Sequence, residues 1–273
     1  MAQILEGKIV REETVERLKQ EILGFSSKPT LTIIQIGDND ESGVYIRQKQ
    51  IFGEKIGAEV RHIKFNADES QEQIISEIKN LNIDKSVHGI IVQLPLPENF
   101  DENKITEAII PSKDVDGLTS STDFMPATAR GILSLLDFYK IDPSGKNAVV
   151  MGRSKLVGKP TAEALLNRGA RVNVAHSQTE NIREVTKQAE ILIVAVGKPK
   201  LVDASYVRAG QVIIDVGINV SRDDEGKKIL SGDVNFDEVK DIVSAISPVP
   251  GGVGLMTVCA LFENLIKAYK MKE

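Results

Sequence analysis

Short runs of β-branched and aliphatic residues recur along the chain, separated by segments whose apolar positions return every three to four residues. REETVERLKQEIL, charged on one face and apolar on the other, predicts a helix. TLTIIQIG predicts a strand stopped by Gly37. A helix is expected over about 41–56, and AEVRHIKF alternates like a strand. SQEQIISEIKNLN opens on a serine and carries apolar residues at helical spacing. HGIIVQLPLP reads as a short buried strand that breaks at Pro95. This β-α-β-α-β order implies a parallel sheet with helices packed on it.

A polar, turn-rich stretch follows, PENFDENKITEAIIPSKDVDGLTSSTDFMPATARG, which reads as site loops and the start of a connector. GILSLLDFYKI predicts a helix leading out of the first domain. A second alternation begins at NAVVMG, with strands expected at 147–151, 171–175, 190–196 and 211–216, helices between the first three, and a further short strand at 243–247. PVPGGVG then breaks the chain before a last helix, LMTVCALFENLIKAYK, apolar on more than one face and expected to pack back onto the first domain.

Composition narrows the class. With 273 residues, 41% hydrophobic and 27% charged, the chain reads as globular, one large or two modest domains. Trp is absent and aromatics make up 4%, so the core must be aliphatic. The net charge of −5 comes without a basic stripe, which argues against nucleic acid as a partner. Apolar runs such as ILIVAVG are too short to span a bilayer, so no membrane partner is expected. A lone Cys259 and no N-terminal apolar signal region point to a reducing, cytoplasmic compartment. His62, His88 and His176 stand apart, so no metal site is expected.

NAVVMGRSKLVGKPTAEALL is strand, glycine turn, helix. Gly152 and Gly158, with Ser154 where a second glycine is common, make a loosened G-x-G-x-x-G. Pro160 suits a first helical turn, and the free N–H groups and positive end of that helix could hold a pyrophosphate. A plain strand-turn-helix connection would explain the same glycines. The next strand ends in His176, Ser177, Gln178 and Thr179, where an NAD site usually places a carboxylate; Glu180 lies just beyond. Arg153 could meet a 2′-phosphate and Ser177 could hydrogen-bond it, which favours NADP over NAD.

Tyr45 and Lys49 sit four apart on a predicted helix and share one side of it. A solvated face would explain the lysine alone. Y-x-x-x-K also occurs in short-chain dehydrogenases, but there the cofactor glycines precede the pair, whereas here they follow it by about a hundred residues. A short-chain-type dehydrogenase on another substrate, or a non-catalytic nucleotide-binding module, remain alternatives.

Nine strings occur in order along the chain: IGDNDESGVYIRQKQ, GIIVQLPLP, PSKDVDG, GRSKLVGKP, AHSQT, AVGKP, IIDVGIN, SGDV and SPVPGGVGLMT. In this the chain resembles the bifunctional methylenetetrahydrofolate dehydrogenase/methenyltetrahydrofolate cyclohydrolase family over nearly its whole length. The resemblance implies oxidation of 5,10-methylenetetrahydrofolate with NADP and hydrolysis of the product to 10-formyltetrahydrofolate, a step of one-carbon metabolism. It implies tetrahydrofolate derivatives as partners and a homodimer.

Residue by residue, it gives Lys49 as the catalytic lysine, Gln93 as its partner and Tyr45 beside the folate. It implies that Asp116 binds the pterin and that Gly251, Gly252 and Val253 form a loop near folate and nicotinamide. Gly152, Arg153, Ser154, Gly158, His176, Ser177 and Ile218 are the residues expected to contact the cofactor. The expected fold is α/β with two domains and a cleft between them: a folate-binding catalytic domain with a parallel sheet from 1–120 plus 255–273, a connector over 121–140, and a Rossmann-like NADP-binding domain over 141–254. Two departures from the family pattern stand out. Ala127 and Ala129 replace residues of its Pro-Cys-Thr-Pro connector, and Leu255 stands where a proline is usual after the glycine loop.

Overall fold

The computed structural model describes residues 2–222 and 228–272. Along the chain run β1 (Gln3–Ile4), α1 (Gly7–Ile22), β2 (Thr30–Ile36), α2 (Asp40–Ile56), β3 (Glu59–Phe65), α3 (Gln71–Ile83), β4 (Gly89–Val92), α4 (Glu102–Thr106) and α5 (Ala127–Phe138). Then follow β5 (Asn147–Met151), α6 (Gly158–Asn167), β6 (Arg171–Ala175), α7 (Ile182–Lys187), β7 (Ile191–Val194), β8 (Val212–Asp215), β9 (Asn219–Arg222), β10 (Lys228–Ser231), α8 (Phe236–Val239), β11 (Ala245–Ile246) and α9 (Val253–Lys270).

The chain divides into two compact units, Met1–Glu12 with Thr128–Thr257 and Glu13–Ala127 with Val258–Glu273. The second holds a three-stranded parallel sheet in the order β3-β2-β4. Its central strand β2 is buried along its whole length, which is why TLTIIQI is apolar or β-branched at every position but Gln35 rather than alternating. Ile34, Ile36, Ile74, Ile78, Ile90 and Val92 form an aliphatic core beneath α3. Ser70 caps α3 in a reciprocal capping box with Gln73, as its serine start predicts. On the other side Phe52 of α2 stacks on Phe262 of α9 with ring centroids 5.0 Å apart.

The other unit carries a six-stranded parallel sheet, β1-β11-β8-β7-β5-β6. It is a doubly wound sheet whose order reverses at β5, between β7 and β6, so the carboxyl end of β5 is where such a sheet opens a ligand crevice. β1 had no counterpart in the sequence pattern. It pairs in parallel with β11, Gln3 to Ala245 and Ile4 to Ile246, and so draws residues 1–12 into this unit rather than the folate-binding domain expected from sequence. The expected connector over 121–140 is not a separate piece, because the division falls at its residue 127 and α5 begins there. A β9–β10 antiparallel hairpin was also unanticipated.

α5 and the start of α9 touch closely within this unit, since a Cβ on Gly131 would stand 2.9 Å from the Met256 backbone. Ala129 in α5 is fully buried. Leu255 donates its N–H to the Gly252 carbonyl at 3.2 Å, a bond the usual proline could not make. Among the described residues, no helix is long and apolar enough to cross a membrane.

Candidate active site

In the unit built on β3-β2-β4, α2 presses Ile46, Phe52 and Ile56 into the core. Tyr45 and Lys49 lie one turn apart on its flank, where Tyr45 is 37% exposed and Lys49 is half-buried. Gln93 follows the last residue of β4 and extends the ladder, its N–H donating to Ile34 O at 2.8 Å. Its side-chain amide donates through Nε2 to Leu94 O at 2.8 Å. That fixes the amide so that Oε1 faces the lysine, and Lys49 Nζ donates to it at 2.8 Å.

Asp116 completes the group. Desolvation pulls the Lys49 amine below its usual pKa, and the nearby Asp116 carboxylate opposes this. Burial pushes the Asp116 carboxyl up, with Lys49 opposing and Asp114 adding to the rise. Lys49 therefore reaches its neutral, basic form at lower pH than a free lysine.

The loop that holds Asp116 is organised by a residue the sequence reading passed over. Asp114 is buried and accepts N–H groups from Gly117 at 3.1 Å, Leu118 at 3.2 Å and Thr119 at 2.8 Å, plus the Thr119 hydroxyl at 2.8 Å. Gly117 takes φ +75°, and a Cβ there would stand 2.6 Å from Pro126 Cα, so DVDG is more than a generic turn. From α9, Asn264 Nδ2 donates to Val115 O at 2.9 Å and Met125 O at 3.0 Å and clamps both ends of the loop. The signal available in the sequence was the paired aspartates of KDVDG.

In the unit built on the six-stranded sheet, β5 ends at Gly152, which takes φ +122°. A Cβ there would overlap the Ala195 carbonyl oxygen, and one on Gly158 would overlap the Gly152 carbonyl oxygen. Both glycines are therefore required by the close turn itself. Ser154 Oγ accepts the N–H groups of Val157 and Gly158, each at 3.2 Å, and its carbonyl accepts that of Lys159 at 3.0 Å. Pro160 has no N–H to give. This corrects the expectation of free helix N–H groups: the first turn of α6 is capped by the turn's own serine, so an anion here would rely on the loop and the helix dipole.

Arg153 Nη2 donates to Gln178 Oε1 at 3.2 Å and ties the glycine turn to the tip of the neighbouring β6. There the His176 N–H donates to Thr179 Oγ1 at 2.9 Å, His176 Nδ1 accepts from Gln178 N at 3.2 Å, and Ser177 is exposed. A cradle without Cβ atoms, an exposed arginine and a serine, with no acid at the strand tip, fits a dinucleotide bearing an extra phosphate.

Gly251, at φ +110°, accepts the Gly7 N–H at 2.8 Å, and Val253 is buried at the start of α9. Ile218 is exposed, and a Cβ on Gly254 would lie 3.4 Å from its Cδ1. Two further aspartates missed by the sequence reading shape this end of the sheet. Asp233 gathers the N–H groups of Val196, Gly197 and Lys198 at 2.6, 2.8 and 2.9 Å. Asp215, pushed up to about 6 by burial, holds those of Gly217, Asp233 and Val234 at 3.0, 3.0 and 2.9 Å.

A dinucleotide-type sheet in one unit, and a lysine–glutamine–aspartate set in the other, define a two-unit α/β enzyme with separate nucleotide and substrate elements. The chain belongs to the tetrahydrofolate dehydrogenase/cyclohydrolase family: residues 5–116 match the model of its catalytic domain and residues 126–273 that of its NAD(P)-binding domain. It is 43% identical to the bifunctional protein FolD of Agathobacter rectalis, over 99% of this chain and 100% of the relative. Among solved structures it is similar to the bifunctional FolD methylenetetrahydrofolate dehydrogenase/cyclohydrolase of Campylobacter jejuni, at 39% identity and TM-score 0.94 with both chains fully covered. The Trypanosoma brucei methylenetetrahydrofolate dehydrogenase-cyclohydrolase, complexed with NADP cofactor and inhibitor, matches at 31% identity and TM-score 0.93 over 99% of this chain and 98% of that one.

Proposed function

We propose that this chain oxidises 5,10-methylenetetrahydrofolate with NADP and hydrolyses the resulting methenyl cation to 10-formyltetrahydrofolate. The observation that carries the reading is the Lys49–Gln93 hydrogen bond at 2.8 Å, made by an amine whose pKa is lowered by desolvation. NADP, when bound, accepts the hydride that leaves the methylene carbon as the folate N5 lone pair pushes in. That step asks the protein for alignment more than for proton transfer.

Hydrolysis asks for a base. Neutral Lys49 takes a proton from the water that attacks the methenyl carbon, the ammonium so formed returns it to N5 as the carbon–N5 bond breaks, and the proton left on the new hydroxyl passes to solvent as the formyl C=O forms. Gln93 Oε1 holds the amine in place through both stages without adding charge. Asp116 offers acceptors to the pterin's N–H donors, and its charge steadies the ammonium. Tyr45, one turn along α2, forms a wall of the pterin site. Gly251, Gly252 and Val253 let backbone approach the flat substrate. Gly152, Ser154 and Gly158 cradle the pyrophosphate, Arg153 and Ser177 take the 2′-phosphate, and His176 and Ile218 flank the nucleoside. The enzyme acts in the cytoplasm as a homodimer, and sedimentation equilibrium tests the dimer directly.

A spectrophotometric assay with methylenetetrahydrofolate and either NADP or NAD, following methenyl formation and decay, tests the reading. NADP-dependent formation followed by decay is expected. Reduction of simple ketones without folate turnover would favour a short-chain-type dehydrogenase, and cofactor binding without turnover a non-catalytic module.

A further inference from the structure

The strands of the three-stranded sheet have two ends, and the lysine site occupies only one of them. Gln93 follows β4, whereas His88 precedes it, about 16 Å away along the strand. At that opposite end, between the C-terminus of α3, the approach to β2 and the last turn of α9, lies a cavity of about 520 Å³. Lys113 and Lys272 reach into it, with Ser26, Ser27 and Tyr269 across from them.

Lys113 is only 2% exposed, an unusual position for a lysine. Its amine donates to Leu81 O at 2.6 Å and Asp84 O at 2.7 Å, and so caps α3. Lys272 donates to Val87 O at 2.6 Å. Both residues line the same cavity, and the charge of Lys272 works against protonation of Lys113, a repulsion that an anion lodged between the amines would relieve. Burial and the neighbouring Lys272 bring Lys113 down to about 8, and the pull of Asp84 is the smallest contribution. The Asp84 carboxylate is already engaged by the Ser86 N–H and hydroxyl, both at 2.8 Å, and by Arg61 at 3.7 Å. Opposite the lysines, the Tyr269 hydroxyl lies 3.2 Å from both Ser26 Oγ and Ser27 Oγ.

We propose that this cavity is a second ligand site, which binds a phosphate group, free or as the monoester of a small metabolite, between the Lys113 and Lys272 amines. Two ammonium groups and three rotatable hydroxyls suit a tetrahedral, multiply charged anion, and the cavity's size falls in the range of small-molecule sites. The bound anion offsets the repulsion between the lysines and holds Lys113 protonated.

The test titrates inorganic phosphate and, in a second arm, glycerol 3-phosphate into the full-length protein, with NADP saturating so that the nucleotide cradle is closed to both probes. Saturable binding is expected at pH 7.5. It should weaken about tenfold or more in Lys272→Gln, which removes one charge-assisted partner at an exposed position. With glycerol 3-phosphate it should also weaken between pH 7.5 and 9, as Lys113, among its neighbours Lys272, Lys85, Asp84, His88 and Tyr269, loses its proton. Tighter binding of glycerol 3-phosphate supports a monoester ligand, and tighter binding of phosphate supports the free ion. No saturable binding of either probe, or equal affinity in Lys272→Gln with folate turnover intact, would overturn the proposal.

Discussion

Asp114→Asn changes one oxygen to an NH₂ group and leaves shape and volume almost untouched, yet the structure assigns it a large effect. One Asp114 oxygen accepts the Gly117 and Leu118 N–H groups, and the other accepts the N–H and hydroxyl of Thr119. Whichever way the new amide turns, its NH₂ meets at least one buried backbone N–H and leaves it without an acceptor. An unsatisfied buried donor costs about 1–3 kcal/mol, and the remaining bonds lose their charge assistance, so the expected loss is about 2–4 kcal/mol. For a chain of this size that lowers the thermal midpoint by about 5–10 °C. Because the same bonds hold the loop that presents Asp116, KM for methylenetetrahydrofolate should rise while NADP affinity, which belongs to the other unit, stays level. Scanning calorimetry and steady-state kinetics on the purified variant read both quantities. An unchanged midpoint together with an unchanged folate KM would refute the role given to Asp114.

Three further outcomes are expected. Gly152→Ala puts a Cβ onto the Ala195 carbonyl at φ +122°, so NADP affinity should fall at least about tenfold, measured by fluorescence titration; wild-type affinity would contradict the cradle. Arg153→Ala should weaken NADP by about tenfold or more and NAD far less, since only NADP carries the 2′-phosphate; an equal effect on both contradicts the assignment. For Asp116→Asn the sign follows from its charge, which raises the Lys49 pKa. Hydrolysis needs the neutral amine and increases as pH climbs through that pKa, so the rising limb of the pH profile should move to lower pH; a limb that stays or moves up is inconsistent with Lys49 as the base.

What the sequence revealed follows from what leaves a periodic trace. Buried parallel strands leave a trace, β7 as an unbroken aliphatic run and β2 as an aliphatic and β-branched one broken only by Gln35. The Ser70 capping box marks its helix within a residue. Tyr45 and Lys49 were legible because a fixed i,i+4 spacing places them on one flank of α2. The short β1 was hidden because two residues cannot show alternation, and its partner β11 lies more than two hundred residues away. The β9–β10 hairpin was hidden because its strands carry charges and lie largely exposed, with Val220, Ile229 and Leu230 each about two-fifths accessible. Asp114, Asp215 and Asp233 act through backbone N–H groups, whose arrangement depends on the fold rather than on neighbouring side chains. Lys113 likewise reads as an ordinary loop lysine until α3 and the last turn of α9 close around it.

The central claim is that the Lys49 amine, held by Gln93 and partly stripped of water, is the base of the hydrolytic step. Lys49→Gln with a spectrophotometric assay of methenyltetrahydrofolate decay, beside an NADP titration of the same preparation, tests it most directly. Hydrolysis should vanish while NADP binds as in the wild type. Undiminished hydrolysis in that variant would contradict the claim.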